Sequence, residues 1–258
     1  MIPKVIHYCW FGGNPLPKEV KEQIANWKKK MPDYEFKMWN ENNFDINSTV
    51  FTKKMYEAKK WAFVSDYVRL YALVNYGGFY LDTDVKVLKN FEPLLNYTAI
   101  CGFESVDLLG TAFLASEPNV NLFSEWLAMY QDGACTSDEP NTVLFTKICV
   151  EHGLKLNNVS QEIDNLVVFP TEYFSPKDYR TGQINTTDQS YTVHLFGESW
   201  RTPAEKLIHA REAKLMHKYG LKRGHQIARI INLPLRIRNV INKRGVRGEI
   251  RYLIDKKR

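Results

Sequence analysis

Cysteine is scarce in this chain: Cys9, Cys101, Cys135 and Cys149 are the four in 258 residues. No two form a C-x-x-C pair, and none has a histidine at zinc-finger spacing. That excludes a zinc-finger module and a thioredoxin-like redox protein, and it predicts buried free thiols. A structural disulfide is disfavoured in a cytosolic chain. Long apolar runs are missing too. No window approaches the roughly 18 apolar residues of a membrane span. Met1-Ile2-Pro3-Lys4-Val5 enters a strand-like run rather than the apolar core of a signal peptide. The expected compartment is therefore the cytoplasm. Internal repeats and low-complexity segments are likewise lacking, which excludes a solenoid.

What is present is a balanced, foldable composition with an uneven charge. Hydrophobic residues make up 44% and aromatic residues 13%, enough for one α/β domain with a full core. Residues 1–200 hold 18 Lys+Arg against 25 Asp+Glu, while residues 201–258 hold 17 against 4. The chain reads as an acidic body, 1–200, and a basic tail, 201–258. Such a tail points to an anionic surface, lipid or nucleic acid. The body carries no nucleic-acid-binding motif, so no nucleic-acid partner is expected.

Periodicity gives the elements. Lys4–Cys9 reads as a first strand, broken by Phe11-Gly12-Gly13-Asn14-Pro15. Pro17–Lys30 reads as a helix with Val20, Ile24 and Trp27 on one face. Tyr34–Trp39 is a strand, Phe51–Lys60 a short helix and Trp61–Tyr76 a longer one, stopped by Gly77-Gly78 as C-cap glycines. Phe79-Tyr80-Leu81 is a short buried strand. Strands at Thr98–Phe103, Thr111–Ala115, Leu166–Phe169 and Tyr191–Leu195 alternate with helices at Asn119–Tyr130 and Asn141–His152. Such alternation predicts a mostly parallel sheet covered on both faces. Ser160–Asp188 is polar and expected to be loop-rich. Ala204–Tyr219 and His225–Asn242 are basic helices, the second split by Pro234.

The chemistry concentrates in Trp61–Val85. Asp66 and Arg69 are three apart and share a helix face. Asp82 and Asp84 sit just past the C-terminal end of a strand, where open α/β sheets bind ligands. Two carboxylates at i and i+2 in a turn reach one small volume, and oxygen-rich sites of that kind suit Mg²⁺ or Mn²⁺. A bare D-x-D is common and by itself carries little. Each residue also has a plainer reading: Trp10 in the core, Asp66–Arg69 as a surface ion pair, His194 as a core histidine. His7 reads as structural.

The wider pattern is more specific. Ser65-Asp66-Tyr67-Val68-Arg69, followed by Tyr76-Gly77-Gly78-Phe79-Tyr80-Leu81-Asp82-Thr83-Asp84, resembles the D-x-D core of glycosyltransferase family 32. The core is also similar to that of the large clostridial glucosylating toxins. Ile2-Pro3-Lys4-Val5-Ile6-His7-Tyr8-Cys9-Trp10-Phe11-Gly12-Gly13 and His194-Leu195-Phe196-Gly197-Glu198-Ser199-Trp200 match in the same order. The three matches span roughly residues 2–200, and the tail has no match.

The resemblance implies an α/β, GT-A-like, Rossmann-type nucleotide-sugar-binding domain and a retaining hexosyltransferase reaction. Cys9 and Trp10 would hold the nucleotide base, with the Trp10 ring stacked on it. Asp66 and Arg69 would grip the donor sugar and the diphosphate side, and Tyr80 would line the nucleotide pocket. Asp82 would contact ribose and sugar, and Asp84 would bind the metal, Mn²⁺ or Mg²⁺. His194, Ser199 and Trp200 would close the site, with His194 or Glu198 as the further metal ligand. The implied partners are a nucleotide sugar, with a uridine diphosphate donor favoured, and a glycan acceptor on a lipid carrier in surface-polysaccharide synthesis. The basic tail would then be a peripheral anchor at the inner face of the membrane. The two-carboxylate scheme of glycoside hydrolysis fits poorly, because the carboxylates are committed to metal and donor. Glu104 and Asp107 follow a strand and are candidates to orient the acceptor. Two competing readings are a toxin-like transferase acting on protein, disfavoured by the short chain, and a non-catalytic carbohydrate- or nucleotide-binding module, disfavoured by the intact Asp82/Asp84 pair.

Overall fold

A computed structural model describes residues 1–131, 139–197 and 202–239. They fall into two compact units, the first formed by 1–177 with 185–196 and the second by 178–184 with the described residues from 197 onward. The expected boundary at residue 200 lies outside the described residues.

The first unit is built on a seven-stranded sheet. β1 (Val5–Cys9), α1 (Lys18–Lys30), β2 (Glu35–Trp39), α2 (Val50–Glu57), α3 (Trp61–Tyr76) and β3 (Gly78–Leu81) form its first half. After β4 (Val85–Val87) come β5 (Ala99–Ser105), β6 (Leu108–Ser116), α4 (Asn121–Gln131), α5 (Asn141–Glu151), β7 (Gln161–Ile163), β8 (Leu166–Phe169), α6 (Thr171–Phe174) and β9 (Thr192–His194). The strand order is β2-β1-β3-β6-β5-β8-β7, and β4 pairs with β9 in a separate ribbon. β6 runs antiparallel to β3 and β5, and β7 runs antiparallel to β8. The other five strands point one way, as the strand–helix alternation predicted. The polar stretch expected to be loop-rich, 160–188, contains β7 and α6 besides the expected strand β8.

Alternation along the strands divides the core in two. In β3, Phe79 and Leu81 enter the cluster under α1, with Trp27, Met31 and Phe91. Tyr80 enters the opposite cluster, among Val64, Val68, Phe123, Trp126 and Phe145 of the helices α3, α4 and α5. Trp27 and Trp126 are both fully buried, and burial of a large apolar side chain stabilises by about 1.5–3 kcal/mol. Trp27 also donates its indole N–H to the Val85 carbonyl at 2.8 Å, which ties α1 to the segment just after the Asp pair.

Gly77 and Gly78 fix the passage from α3 to β3. Their φ values are +63° and +99°, a region that L side chains rarely adopt. A Cβ on Gly77 would come 2.8 Å from the Ser116 carbonyl, and one on Gly78 would come 2.7 Å from the Val5 carbonyl. Only glycine lets α3 end this close to the sheet, so the pair sets where Asp82 emerges four residues later.

The second unit is a helical hairpin of α7 (Pro203–Tyr219) and α8 (Leu221–Ile231). Thr202 and Glu205 form a capping box at the start of α7, satisfying two orphan N–H groups. The sequence predicts one helix from His225 split at Pro234. The chain instead starts α8 at Leu221, turns at Asn232 and is helical again over 233–239. Pro234 sits in the first turn of that last segment, where its missing N–H costs nothing. Asn232 is fully buried and supplies the break, donating from its amide to Ile208 O at 3.4 Å. Gly224, Ala228 and Asn232 form the buried stripe of this hairpin. Gly224 has no room for a Cβ, which would stand 2.4 Å from the Met216 Cα. Because small residues make the seam, Ile230, Ile231, Leu233 and Ile237 stay exposed.

Candidate active site

Asp82-Thr83-Asp84 forms the turn between β3 and β4, closed by the Val85 N–H donating to the Asp82 carbonyl at 3.0 Å. β4 then pairs antiparallel with β9, with Val85 opposite His194. The Leu195 N–H donates to the Asp84 carbonyl at 3.0 Å. These backbone bonds deliver a histidine from 110 positions downstream to the Asp pair. Ligand atoms of Asp82, Asp84 and His194 lie within 4.8 Å of one another. Two carboxylates and an imidazole suit a borderline divalent ion, so the donor set fits the metal implied by the sequence.

Asp82 is anchored from below. Its Oδ1 accepts from the Tyr80 hydroxyl at 2.8 Å and from Arg69 Nη2 at 3.3 Å. Arg69 is 4% exposed. It directs Nη1 to the Thr111 carbonyl at 2.7 Å, Nη2 also to Asp66 at 2.8 Å, and stacks its guanidinium 4.7 Å from the Tyr80 ring. This is a buried, forked cation between two carboxylates rather than a surface ion pair. Four of its N–H groups find protein acceptors, Nε turning to the Ser65 carbonyl at 3.4 Å, so it arranges Asp66 and Asp82 from a buried position.

Burial raises the Asp66 carboxyl to about 7, with Arg69 pulling down and Asp82 pushing further up. Burial likewise raises Asp82, against Arg69 and with Asp84. Burial lowers His194, but the Asp84 and Glu104 carboxylates on either side outweigh it and raise the ring to about 10. A metal ion entering here would displace that proton, since a ligating imidazole is neutral. Burial also pushes the Cys9 thiol up to about 12, so it stays protonated beside Tyr80 and Ser65.

The sequence-predicted residues separate into layers. Arg69, Tyr80 and Cys9 form the buried floor, Tyr80 being 1% exposed and Cys9 6%, with Asp66 half-buried beside Arg69. Asp82, Asp84 and His194 are half-buried above it. Trp10 is also half-buried, held by its indole N–H donating to Asn14 O at 2.7 Å. Its ring lines a groove of about 510 Å³ together with Asn14, Met38, Asn40, Glu41 and Tyr56. Glu41 accepts from the Tyr56 hydroxyl at 3.0 Å and from the Gly12 N–H. Trp10 is therefore not a core residue. Glu198, Ser199 and Trp200 lie outside the described residues. Asp107 accepts from Ser105 at 2.8 Å.

One part of the floor has no signal in the sequence. Asn141, at the start of α5, donates from its amide to Asp66 at 2.6 Å and accepts from the Thr111 hydroxyl at 3.3 Å. It lies 75 positions from Asp66, and nothing in local periodicity connects the two. Cys9, Cys101 and Cys149 are free and buried. Cys135 is outside the described residues.

Comparison with known proteins adds a family match over part of the chain. Residues 17–100 match the model of the glycosyltransferase sugar-binding region containing DXD motif. The chain is similar to inositol phosphoceramide mannosyltransferase 3 of Schizosaccharomyces pombe, 31% identical over 102 residues, covering 38% of this chain and 28% of that protein. It is also similar to lactosylceramide 4-alpha-galactosyltransferase of Rattus norvegicus, 30% identical over 174 residues, covering 60% and 47%. The chain thus spans less than half the length of either relative. Among solved structures, the galactosyltransferase LgtC in complex with donor and acceptor sugar analogs aligns at TM-score 0.41 and 13% identity, over 87% of this chain and 95% of that one.

Proposed function

We infer that this chain is a working sugar transferase, on the premise that it belongs, through residues 17–100, to the glycosyltransferases with a DXD-containing sugar-binding region. The observation that carries the reading is the convergence of Asp82, Asp84 and His194 at the end of β3. Two matched relatives are named for transfer onto ceramide glycolipids. The reaction proposed is transfer of a hexose from a nucleotide sugar, with a uridine diphosphate donor favoured, to a glycan acceptor on a lipid carrier in surface-polysaccharide synthesis.

Asp82, Asp84 and His194 would hold one divalent cation, Mn²⁺ or Mg²⁺. When bound, it supplies Lewis-acid neutralisation of the departing diphosphate. The chain's own residues do the rest. Trp10 offers its ring to the base across the groove, and Glu41 closes the other wall. Arg69 holds Asp66 and Asp82 in register. Asp66, with one oxygen fixed by Arg69 and Asn141, presents the carboxyl that receives a donor-sugar hydroxyl. The leaving phosphate oxygen takes the acceptor's proton on the same face, which retains configuration.

The second unit is proposed as a peripheral anchor on an anionic leaflet. No helix among the described residues is long and apolar enough to cross a membrane. Exposed Ile230, Ile231, Leu233 and Ile237 are interleaved with exposed Lys222, Arg223, Arg229 and Arg238, the arrangement of an interfacial helix. The location proposed with it is the cytoplasmic face of the membrane.

The deciding experiment is a panel of nucleotide sugars with and without Mn²⁺, reading donor hydrolysis and transfer. Turnover that needs the ion and one class of donor supports the proposal. Full turnover in chelated buffer would sink the metal part, and binding without any turnover would leave a non-catalytic module.

A further inference from the structure

Glu104 stands behind the candidate metal ligand. It lies near the C-terminal end of β5, which runs parallel to β3 because both are antiparallel to β6. Glu104 therefore reaches the same edge of the sheet as Asp82. Phe103 faces Leu109 and Ser105 faces Leu108, so Glu104 is the extra residue of a β-bulge. Bulges re-aim a side chain out of the normal alternation. Here the carboxylate is 17% exposed, with Oε2 3.3 Å from His194 Nδ1. On the other side of the ring, His194 Nε2 is 3.4 Å from Asp84 Oδ2.

The two ring nitrogens thus face different carboxylates. Asp84 belongs to the ligand cluster and Glu104 does not. Nδ1 is buried and makes no hydrogen bond among the described residues. The Glu104 carboxylate facing it at ion-pair distance favours the proton on that nitrogen, which leaves the Nε2 lone pair for a metal. The Phe196 ring, 4.0 Å from the imidazole between centroids, restrains the remaining rotation.

We propose that Glu104 is a positioning residue: its bulged carboxylate, facing Nδ1, orients His194 so that Nε2 is aimed at the carboxylates of Asp82 and Asp84, where a cation would be held. This rests on the metal-site reading given under Proposed function and assigns Glu104 there instead of to the acceptor. Carboxylates in this relation to a ligating histidine change metal affinity by about 10- to 100-fold when removed.

The test measures binding of Mn²⁺ alone, from the free-ion EPR signal, in the full chain and in the variants Glu104→Ala, Glu104→Gln and Asp84→Asn. Glu104→Ala is expected to bind roughly 10- to 100-fold more weakly, with a metal-free melting temperature close to the wild type. Glu104→Gln keeps an acceptor for Nδ1–H and should fall between the two, a partial rescue that loss of packing alone would not give. Wild-type Mn²⁺ affinity in both Glu104 variants, beside weakened Asp84→Asn, overturns this inference and leaves the metal site standing. If Glu104→Ala does not fold, wild-type affinity in the isosteric Gln variant alone overturns it. Absence of Mn²⁺ binding by the wild type, or full binding by Asp84→Asn, overturns the metal site and this inference together.

Discussion

Asp82 and Asp84 are two residues apart and divide the work. Asp82 Oδ1 is fixed by Tyr80 and Arg69 from the floor, whereas Asp84 Oδ2 faces His194 across the turn. Asp84→Asn removes a charged ligand at a side chain that is 29% exposed, outside the core. Metal-dependent transfer should be lost while the melting temperature stays within a few degrees, measured by turnover with added Mn²⁺ and by thermal unfolding. Near-wild-type turnover in the variant would remove Asp84 from the mechanism. Trp10 makes a second test at this scale. It is half-buried in an open groove, and stacking on a base is worth about 1–3 kcal/mol. Trp10→Ala should weaken free nucleotide diphosphate binding roughly 5- to 150-fold by calorimetry. Unchanged affinity would place the base elsewhere.

At the scale of elements, the α3–β3 junction depends on His7 as well as on glycine. His7 is fully buried in β1, with Nε2 2.9 Å from the Gly77 carbonyl. Trp39 donates its indole N–H to Nδ1 at 3.2 Å. That pattern requires a neutral ring with its proton on Nε2, since a proton on Nδ1 would face another donor. Burial pushes the imidazole down to about 4, partly opposed by Gly77, and nearby Lys37 lowers it further. The folded value lies below the unfolded one, near 6.5, so the unfolded chain binds the proton first. The stability is fully present above pH 6.5 and is lost as pH falls toward and through 4, about 3 kcal/mol at most. His7→Gln should abolish that part of the pH dependence in urea unfolding curves between pH 6.5 and 4. Parallel curves for wild type and variant would show that His7 does not titrate there. Gly78→Ala should destabilise by more than about 1 kcal/mol, because both the positive φ and the Val5 carbonyl oppose a Cβ.

For the molecule as a whole, the uneven charge and the exposed isoleucines lead to one expectation. The full chain should co-sediment with anionic vesicles, less so at high salt, because each cation near such a leaflet adds about 1 kcal/mol. Ile230→Ser with Ile237→Ser should weaken sedimentation without unfolding α8, since both side chains are exposed. Equal sedimentation of variant and wild type would show that the isoleucine face does not enter the lipid.

The sequence by itself determined the element order apart from β4, β7 and α6, the Gly77-Gly78 stop, the placement of Asp82 and Asp84 past a strand end, and the acidic body with a basic tail. These are local properties, set by periodicity, by φ preferences and by spacing within one element. It read less well where partners are distant. Arg69 looks from the sequence like a donor-gripping cation, but the fold buries it and turns it on Asp66, Asp82 and Thr111. Asn141 meets Asp66 only because α5 starts beside α3. The seam of the tail has no signal in the sequence: Gly224, Ala228 and Asn232 form it because small residues permit the closer approach. His194 reaches Asp84 through the pairing of β4 with β9, and Glu104 reaches His194 through one extra residue in β5. Strand register and a bulge are long-range choices, fixed by the whole sheet, and no spacing along the chain encodes them.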